Sequence, residues 1–156
     1  VSVRQRVVVM IGLPGSGKST YAAKLGVTPL SSDEIRRILA DDPTDQTIHT
    51  RVFLTLRYLL RHRLALGRPV TFIDATNLNP EERRPYIEVA RVFGADPEAL
   101  YFDTPIEICM ERNLKRNRVV PEEAIRNMLA KLRPPSPDEG FVKISVVRPI
   151  STAPHL

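Results

Sequence analysis

The most restrictive feature of this chain is a junction. The apolar run Val7-Val8-Val9-Met10-Ile11 passes directly into Gly12-Leu13-Pro14-Gly15-Ser16-Gly17-Lys18-Ser19-Thr20. A continuous β-branched run without polar alternation reads as a strand covered on both faces. The segment after it has the spacing G-x-x-x-x-G-K-[ST], and a helical stretch follows. Strand, glycine turn and helix in that order aim successive backbone N–H groups at one point. An anion there gains their hydrogen bonds and the positive end of the helix dipole. Glycines let the backbone come closer than a side chain would allow. The arrangement suits the phosphates of a nucleoside triphosphate, with Gly12, Pro14, Gly15, Ser16, Gly17, Lys18, Ser19 and Thr20 as candidate contacts. Lys18 is expected on the β- and γ-phosphates and Ser19 on Mg²⁺. The Gly-Lys-Ser ending separates this loop from a dinucleotide fingerprint.

Further along, strands alternate with helices. Ser19 to Leu25 reads as a short helix and Val27 to Leu30 as a short strand. Ser31 with Glu34 reads as a capping box opening a helix to about Ala40. Thr47 to Leu66 reads as one long helix with a stripe of Val52, Leu56, Leu59, Leu60 and Leu64. Val70 to Ile73 is the next strand. Asn79-Pro80-Glu81-Glu82 is a helix start, and that helix ends at Gly94. Leu100 to Phe102 reads as a strand, Pro105 to Met110 as a helix, Pro121 to Leu132 as another, and Phe141 to Val147 as the last strand. The pattern predicts an α/β three-layer sandwich, a parallel sheet between helices. Residues 1–148 are expected to form one domain, with a helical lid around 112–133 and a frayed tail over 149–156. The 156-residue length and 42% hydrophobic content suit one core of this kind.

Candidate acceptor chemistry lies at the strand ends. Asp33 sits in the first turn of the Ser31 helix, and Arg36 is three residues on, toward the same side. A carboxylate at the sheet's carboxyl edge can take a proton from an attacking hydroxyl. An arginine one turn later can grip a phosphate or carboxylate on the acceptor. The same pair also fits plain helix-start chemistry. Asp74, just after the Val70 strand, is a candidate carboxylate supporting the phosphate site near Mg²⁺ or its waters, or else orients the loop or caps the turn, and Asn77 either meets the acceptor or folds the turn. Arg112, Lys115, Arg116 and Arg118 form a cationic segment between two helices. It reads either as a solvated face or as a lid whose guanidiniums meet transferring phosphate and exclude water.

Bulk properties narrow the class. The net charge of +5 fits a polyanionic or phosphorylated partner as well as simple solubility. The single cysteine, Cys109, excludes an intrachain disulfide and reads as a core filler. Three scattered histidines offer no metal cluster. The apolar N-terminal run is short and reads as a strand, not a secretion signal, and no run reaches membrane-spanning length. A cytoplasmic protein is expected, with no membrane partner. Nothing in the sequence fixes an oligomeric state.

The segments GLPGSGKST at 12–20, SSDEIR at 31–36, IDATN at 73–77 and ERNLKRNRVVPEEAI at 111–125, with EGF at 139–141, resemble the polynucleotide kinase branch of P-loop phosphotransferases. The likeness is to the kinase module of bacterial end-healing enzymes and covers nearly the whole chain. It implies transfer of the ATP γ-phosphate to 5′-hydroxyl ends of DNA or RNA. On that pattern Asp33 is the general base and Arg36 sits near the acceptor's first phosphate. Lys18 and Ser19 serve the phosphates and Mg²⁺, Arg112 and Arg116 are lid arginines, and Arg118 supports the lid. The same loop, aspartate and arginine also serve kinases of small hydroxylated metabolites or nucleotide sugars. An ATP-gated nucleic-acid-binding module without transfer is a third reading.

Overall fold

The computed structural model describes residues 4–117 and 119–149. Arg118 and all of the expected tail except Pro149 lie outside the described residues. Five strands form one sheet: β1 (Arg6–Ile11), β2 (Leu30–Ser31), β3 (Val70–Asp74), β4 (Asp96–Phe102) and β5 (Lys143–Val147). Their order is β2-β3-β1-β4-β5, and every pairing is parallel. The glycine loop therefore leaves the centre of the sheet, where β1 is flanked on both sides.

The helices are α1 (Lys18–Leu25), α2 (Ser32–Ala40), α3 (His49–Ala65), α4 (Pro80–Val92), α5 (Ile106–Leu114) and α6 (Glu122–Lys131). Alternate residues of β1 divide the core. Val7, Val9 and Ile11 face a cluster with Ile35, Val52, Leu56, Leu60, Leu64 and residues of α4. Val8 and Met10 face Ala22 of α1, Leu100 and Phe102. The unalternating run at Val7–Ile11 is apolar throughout because helices cover both faces, giving three layers. A third cluster joins Leu13 and Leu78 to Cys109, Val120 and Ile125, seating α5 and α6 over the carboxyl end of the sheet.

Several boundaries differ from the sequence reading. The strand expected over 27–30 is only Leu30–Ser31. Val27 is drawn back onto α1 through its N–H to the Ala22 carbonyl (3.1 Å), and Pro29 has no N–H for a ladder. Ser31 caps α2 by accepting from the Glu34 N–H (3.2 Å), but the Glu34 carboxylate turns to Arg37, so the capping box is only half made. The long helix starts at His49, because Asp45 captures the Thr47 N–H (2.8 Å) in a turn before it. Leu59 leaves the apolar stripe and is 37% exposed; the buried set is the strict i, i+4 row Val52, Leu56, Leu60 and Leu64. β4 begins four residues earlier than expected, at Asp96, because β1 and β5 flank it. β5 starts at Lys143, and Phe141 is a buried core residue ahead of it. α5 runs on to Leu114, so Arg112 is helical.

Candidate functional site

The glycine loop needs its glycines for definite reasons. A Cβ on Gly15 would sit 2.5 Å from the Cys109 carbonyl oxygen of α5, and its φ of +81° is left-handed. A Cβ on Gly12 would meet the Ser16 hydroxyl at 2.6 Å. Thr104 pins the loop from β4, donating its hydroxyl to the Ser16 carbonyl at 2.9 Å. Gly17 stands at the N-terminus of α1 with no side-chain cap, which leaves the first-turn N–H groups to a ligand.

Lys18 is buried at the base of the loop. Its ammonium donates to the carbonyls of Gly12 (2.8 Å) and Leu13 (3.0 Å). Asp74, at the end of β3, accepts from the Ser19 hydroxyl at a long 3.4 Å. Burial pushes the Lys18 pKa down and the Asp74 pKa up; in both, desolvation outweighs the attraction between them. The Arg116 charge deepens the lowering at Lys18 and opposes the rise at Asp74, so it acts on both groups.

These residues fit a triphosphate. The Ser16 hydroxyl is buried within the loop with no hydrogen-bond partner, and Lys18 has a third N–H beyond the two carbonyls it meets. They also fit Mg²⁺ held jointly with phosphate oxygens, which needs one or two protein oxygens rather than a cage. No group of three His, Cys, Asp or Glu among the described residues could hold a metal alone, and Ser19 with Asp74 is the oxygen pair at the loop.

Facing the loop is Asp33, with a half-exposed side chain, and Arg36, which is only 4% exposed. Arg36 Nη1 donates to Asp33 Oδ1 at 3.2 Å, and the buried Nε of Arg36 has no partner. Arg36 is thus a buried residue of the cleft wall. Arg112 extends from α5 to the Gly15 carbonyl (3.4 Å). Lys115 makes an exposed pair with Glu111 at 3.7 Å. Asn77 donates to the Met10 carbonyl (2.7 Å) with φ of +47°, so it folds the turn after β3. His49 and His62 are exposed and lie against the rings of Phe53 and Tyr58. Cys109 is fully buried and its thiol pKa is pushed up by burial.

Residues 15–18 of the loop, Asp33, Arg36, Asp74, Arg112 and Arg116 thus line one cleft of about 1640 Å³, and Gly12 is outside its lining. Pro14, Ser19 and Thr20 line it as well.

Three supporting residues escaped the sequence reading. Arg83 is wholly buried on α4. It donates to the carbonyls of Asn77 (2.8 Å), Leu78 (3.0 Å) and Arg133 and pairs with Glu139 at 3.0 Å. It ties the β3–α4 turn to the chain leaving α6. Asn113 holds Val120 by both backbone groups, accepting from its N–H (2.9 Å) and donating to its carbonyl (2.7 Å). That clamp closes the loop carrying Lys115 and Arg116. Thr104 is the third. Local pattern carries no signal for the partners that lie 50 to 88 residues away.

The parallel sheet with a central glycine loop, Lys18 beneath it and Asp74 on the neighbouring strand define a P-loop kinase fold. A family model described as the AAA domain matches residues 7–135, and the chain belongs to that family. It is 24% identical over 136 residues to the L-seryl-tRNA(Sec) kinase of Methanococcus maripaludis, covering 83% of this chain and 53% of that one. It is 25% identical over 151 residues to the bifunctional polynucleotide phosphatase/kinase of Schizosaccharomyces pombe, covering 94% and 34%. The chain therefore spans about half or less of these curated relatives. Among solved structures, a chain of the Pnkp1/Rnl/Hen1 RNA repair complex superposes with a TM-score of 0.72 at 22% identity, over 85% of this chain and 45% of that chain. An unliganded sugar kinase from Janibacter sp. HTCC2649 superposes with a TM-score of 0.63 at 25% identity, over 93% and 85%. The chain has the P-loop kinase fold and is related to kinases of tRNA and polynucleotide ends. No helix among the described residues is long and apolar enough to cross a membrane.

Proposed function

We propose that the chain transfers the γ-phosphate of ATP to the 5′-hydroxyl end of a polynucleotide, as do the bacterial end-healing modules its motifs resemble. The observation that carries this reading is Arg36. A guanidinium 4% exposed, with an unpartnered Nε and a half-exposed Asp33 as neighbour, is poorly satisfied by the protein alone. An acceptor carrying an anion next to its reacting hydroxyl completes it. A 5′-hydroxyl end has that composition: the hydroxyl for Asp33 and the first internucleotide phosphate for Arg36.

In this mechanism the triphosphate lies along Gly12 to Thr20, and Lys18 turns its remaining donor to the phosphates. Ser19 and Asp74 would hold Mg²⁺, whose charge neutralises the β- and γ-phosphate oxygens. Asp33 orients the hydroxyl and accepts its proton as the new O–P bond forms and the bond to the leaving ADP breaks. Arg112 and Arg116, with Arg118 in support, close as a lid over the transferring group and exclude water. Residues 112–133 are the proposed lid of a single kinase domain.

The test is transfer of labelled γ-phosphate to matched oligonucleotides with 5′-hydroxyl or 5′-phosphate ends. Label on hydroxyl ends alone is expected, and Asp33→Ala abolishes it while ATP binding by calorimetry persists. Transfer unaffected by Asp33→Ala overturns the assignment. A second reading, phosphorylation of a small hydroxylated metabolite, is favoured by the likeness to the Janibacter sugar kinase, which extends over 93% of this chain. Label on a sugar or nucleotide-sugar panel, with none on any oligonucleotide, selects it.

A further inference from the structure

A second cavity of about 240 Å³ opens beside the main cleft, between the first half of α3 and the start of α4. The two share His49, Phe53, Thr76 and Glu82, so it is a side chamber of the cleft that also holds Asp33 and Arg36. None of the residues so far given a role in transfer lies in its wall. Its α3 side is built at i, i+4 spacing by His49, Phe53 and Arg57. The His49 and Phe53 rings are 4.7 Å apart and tilted by 46°. Tyr86 closes it from α4.

Tyr86 is the telling member. It is 1% exposed and forms the α4 wall of the chamber. Burial pushes its pKa well up, and the charges it feels are those of Arg57 and Glu82, both in the wall of the same chamber. The chamber thus combines a flank of aromatic rings with edge groups from Arg57, Thr76, Asn77, Glu81 and Glu82, in a volume suited to a single ring system. A planar heterocycle calls for a ring face and a few donors and acceptors at its edge.

We infer that this chamber receives the base of the acceptor's 5′-terminal nucleotide, against the Phe53 and His49 rings, with Tyr86 and Arg57 at the base edge. The inference rests on the polynucleotide reading above and adds to it a grip on the terminal base. Base, 5′-hydroxyl and first phosphate then each have their own residues: the chamber, Asp33 and Arg36.

Two measurements test it. The first compares transfer to 5′-hydroxyl oligonucleotides with a normal and an abasic terminal nucleotide. The normal end is expected to have a kcat/KM about tenfold or more above the abasic end, the size of one base–aromatic contact. Phe53→Leu, which keeps the apolar packing of Phe53 against the core, collapses that ratio toward one. Equal use of both ends, or a ratio unchanged by Phe53→Leu, overturns the inference. The second measurement needs no transfer. Adenosine 3′-phosphate and ribose 3-phosphate are titrated into the protein while the His49 ring resonances are followed by NMR. A shift with the nucleotide alone is expected; no shift, or the same shift with both, overturns the inference. Transfer to normal and abasic ends alike removes the chamber's role and leaves the polynucleotide reading standing. Binding of the nucleotide with no transfer to any oligonucleotide does the reverse.

Discussion

Arg36 gives the sharpest separation of stability from activity. Its Nη1 meets a half-exposed Asp33 at 3.2 Å, and its Nε is buried without a partner. An unsatisfied buried donor costs about 1–3 kcal/mol. An acceptor phosphate removes that cost and adds a charge-assisted bond of about 1.5–3 kcal/mol. Arg36→Met keeps most of the volume and removes the charge. It forfeits about 3–5 kcal/mol of acceptor recognition, a fall of roughly a hundred- to a few thousandfold in kcat/KM for the acceptor. Folding stability moves the other way or not at all, since the lost Asp33 pair is worth under about 1 kcal/mol and the orphaned donor disappears. For a domain of this size a gain of 1 kcal/mol raises Tm by about 2–4 °C. The assays are single-turnover transfer across acceptor concentrations, calorimetry for ATP and differential scanning calorimetry for Tm. A Tm lowered by several degrees, with acceptor kcat/KM within threefold of the parent, refutes the reasoning: Arg36 is then a structural residue.

Three further outcomes are expected. Gly15→Ala forces a Cβ to 2.5 Å from the Cys109 carbonyl, whereas Gly26→Ala, at φ of +69°, meets nothing within 4 Å. The second therefore costs only the left-handed penalty of about 1–2 kcal/mol, and the first costs more and weakens ATP binding; thermal unfolding and nucleotide titration compare them. Asn113→Ala strips both backbone partners from Val120, loosens the loop carrying Arg116, and lowers kcat about tenfold or more with faster proteolysis within 114–119; an unchanged digestion pattern counts against the clamp. Arg6 holds the Glu98 carboxyl below its ordinary value through a bidentate contact at 2.8 and 2.9 Å. A depressed carboxyl pKa stabilises the fold above the ordinary value of 4.5, and that stability is lost as pH falls through the depressed one. Arg6→Gln is thus about 1 kcal/mol less stable at neutral pH, and denaturant curves converge with the parent's in acid; a constant gap across pH contradicts the pairing.

Features encoded within a turn or two of chain were legible without any tertiary contact. The run Val7 to Ile11, the loop Gly12 to Thr20, the caps at Ser31 and Asn79 and the placing of Asp33 and Asp74 at strand ends are local patterns with local physical causes. Their agreement sufficed for a parallel α/β sandwich with the glycine loop at its central strand. Where a boundary slipped, a contact from another element decided it: β4 starts at Asp96 because β1 and β5 bond it from both sides. Packing between distant elements is what buries Arg36, turns Asn77 into the β3–α4 turn, joins Arg83 to Glu139 across 56 residues and encloses a chamber with His49, Phe53 and Tyr86. Periodicity assigns a residue to a face of its own helix or strand. The identity of what lies opposite, and hence a side chain's burial, charge and unmet hydrogen bonds, is fixed by elements distant in sequence.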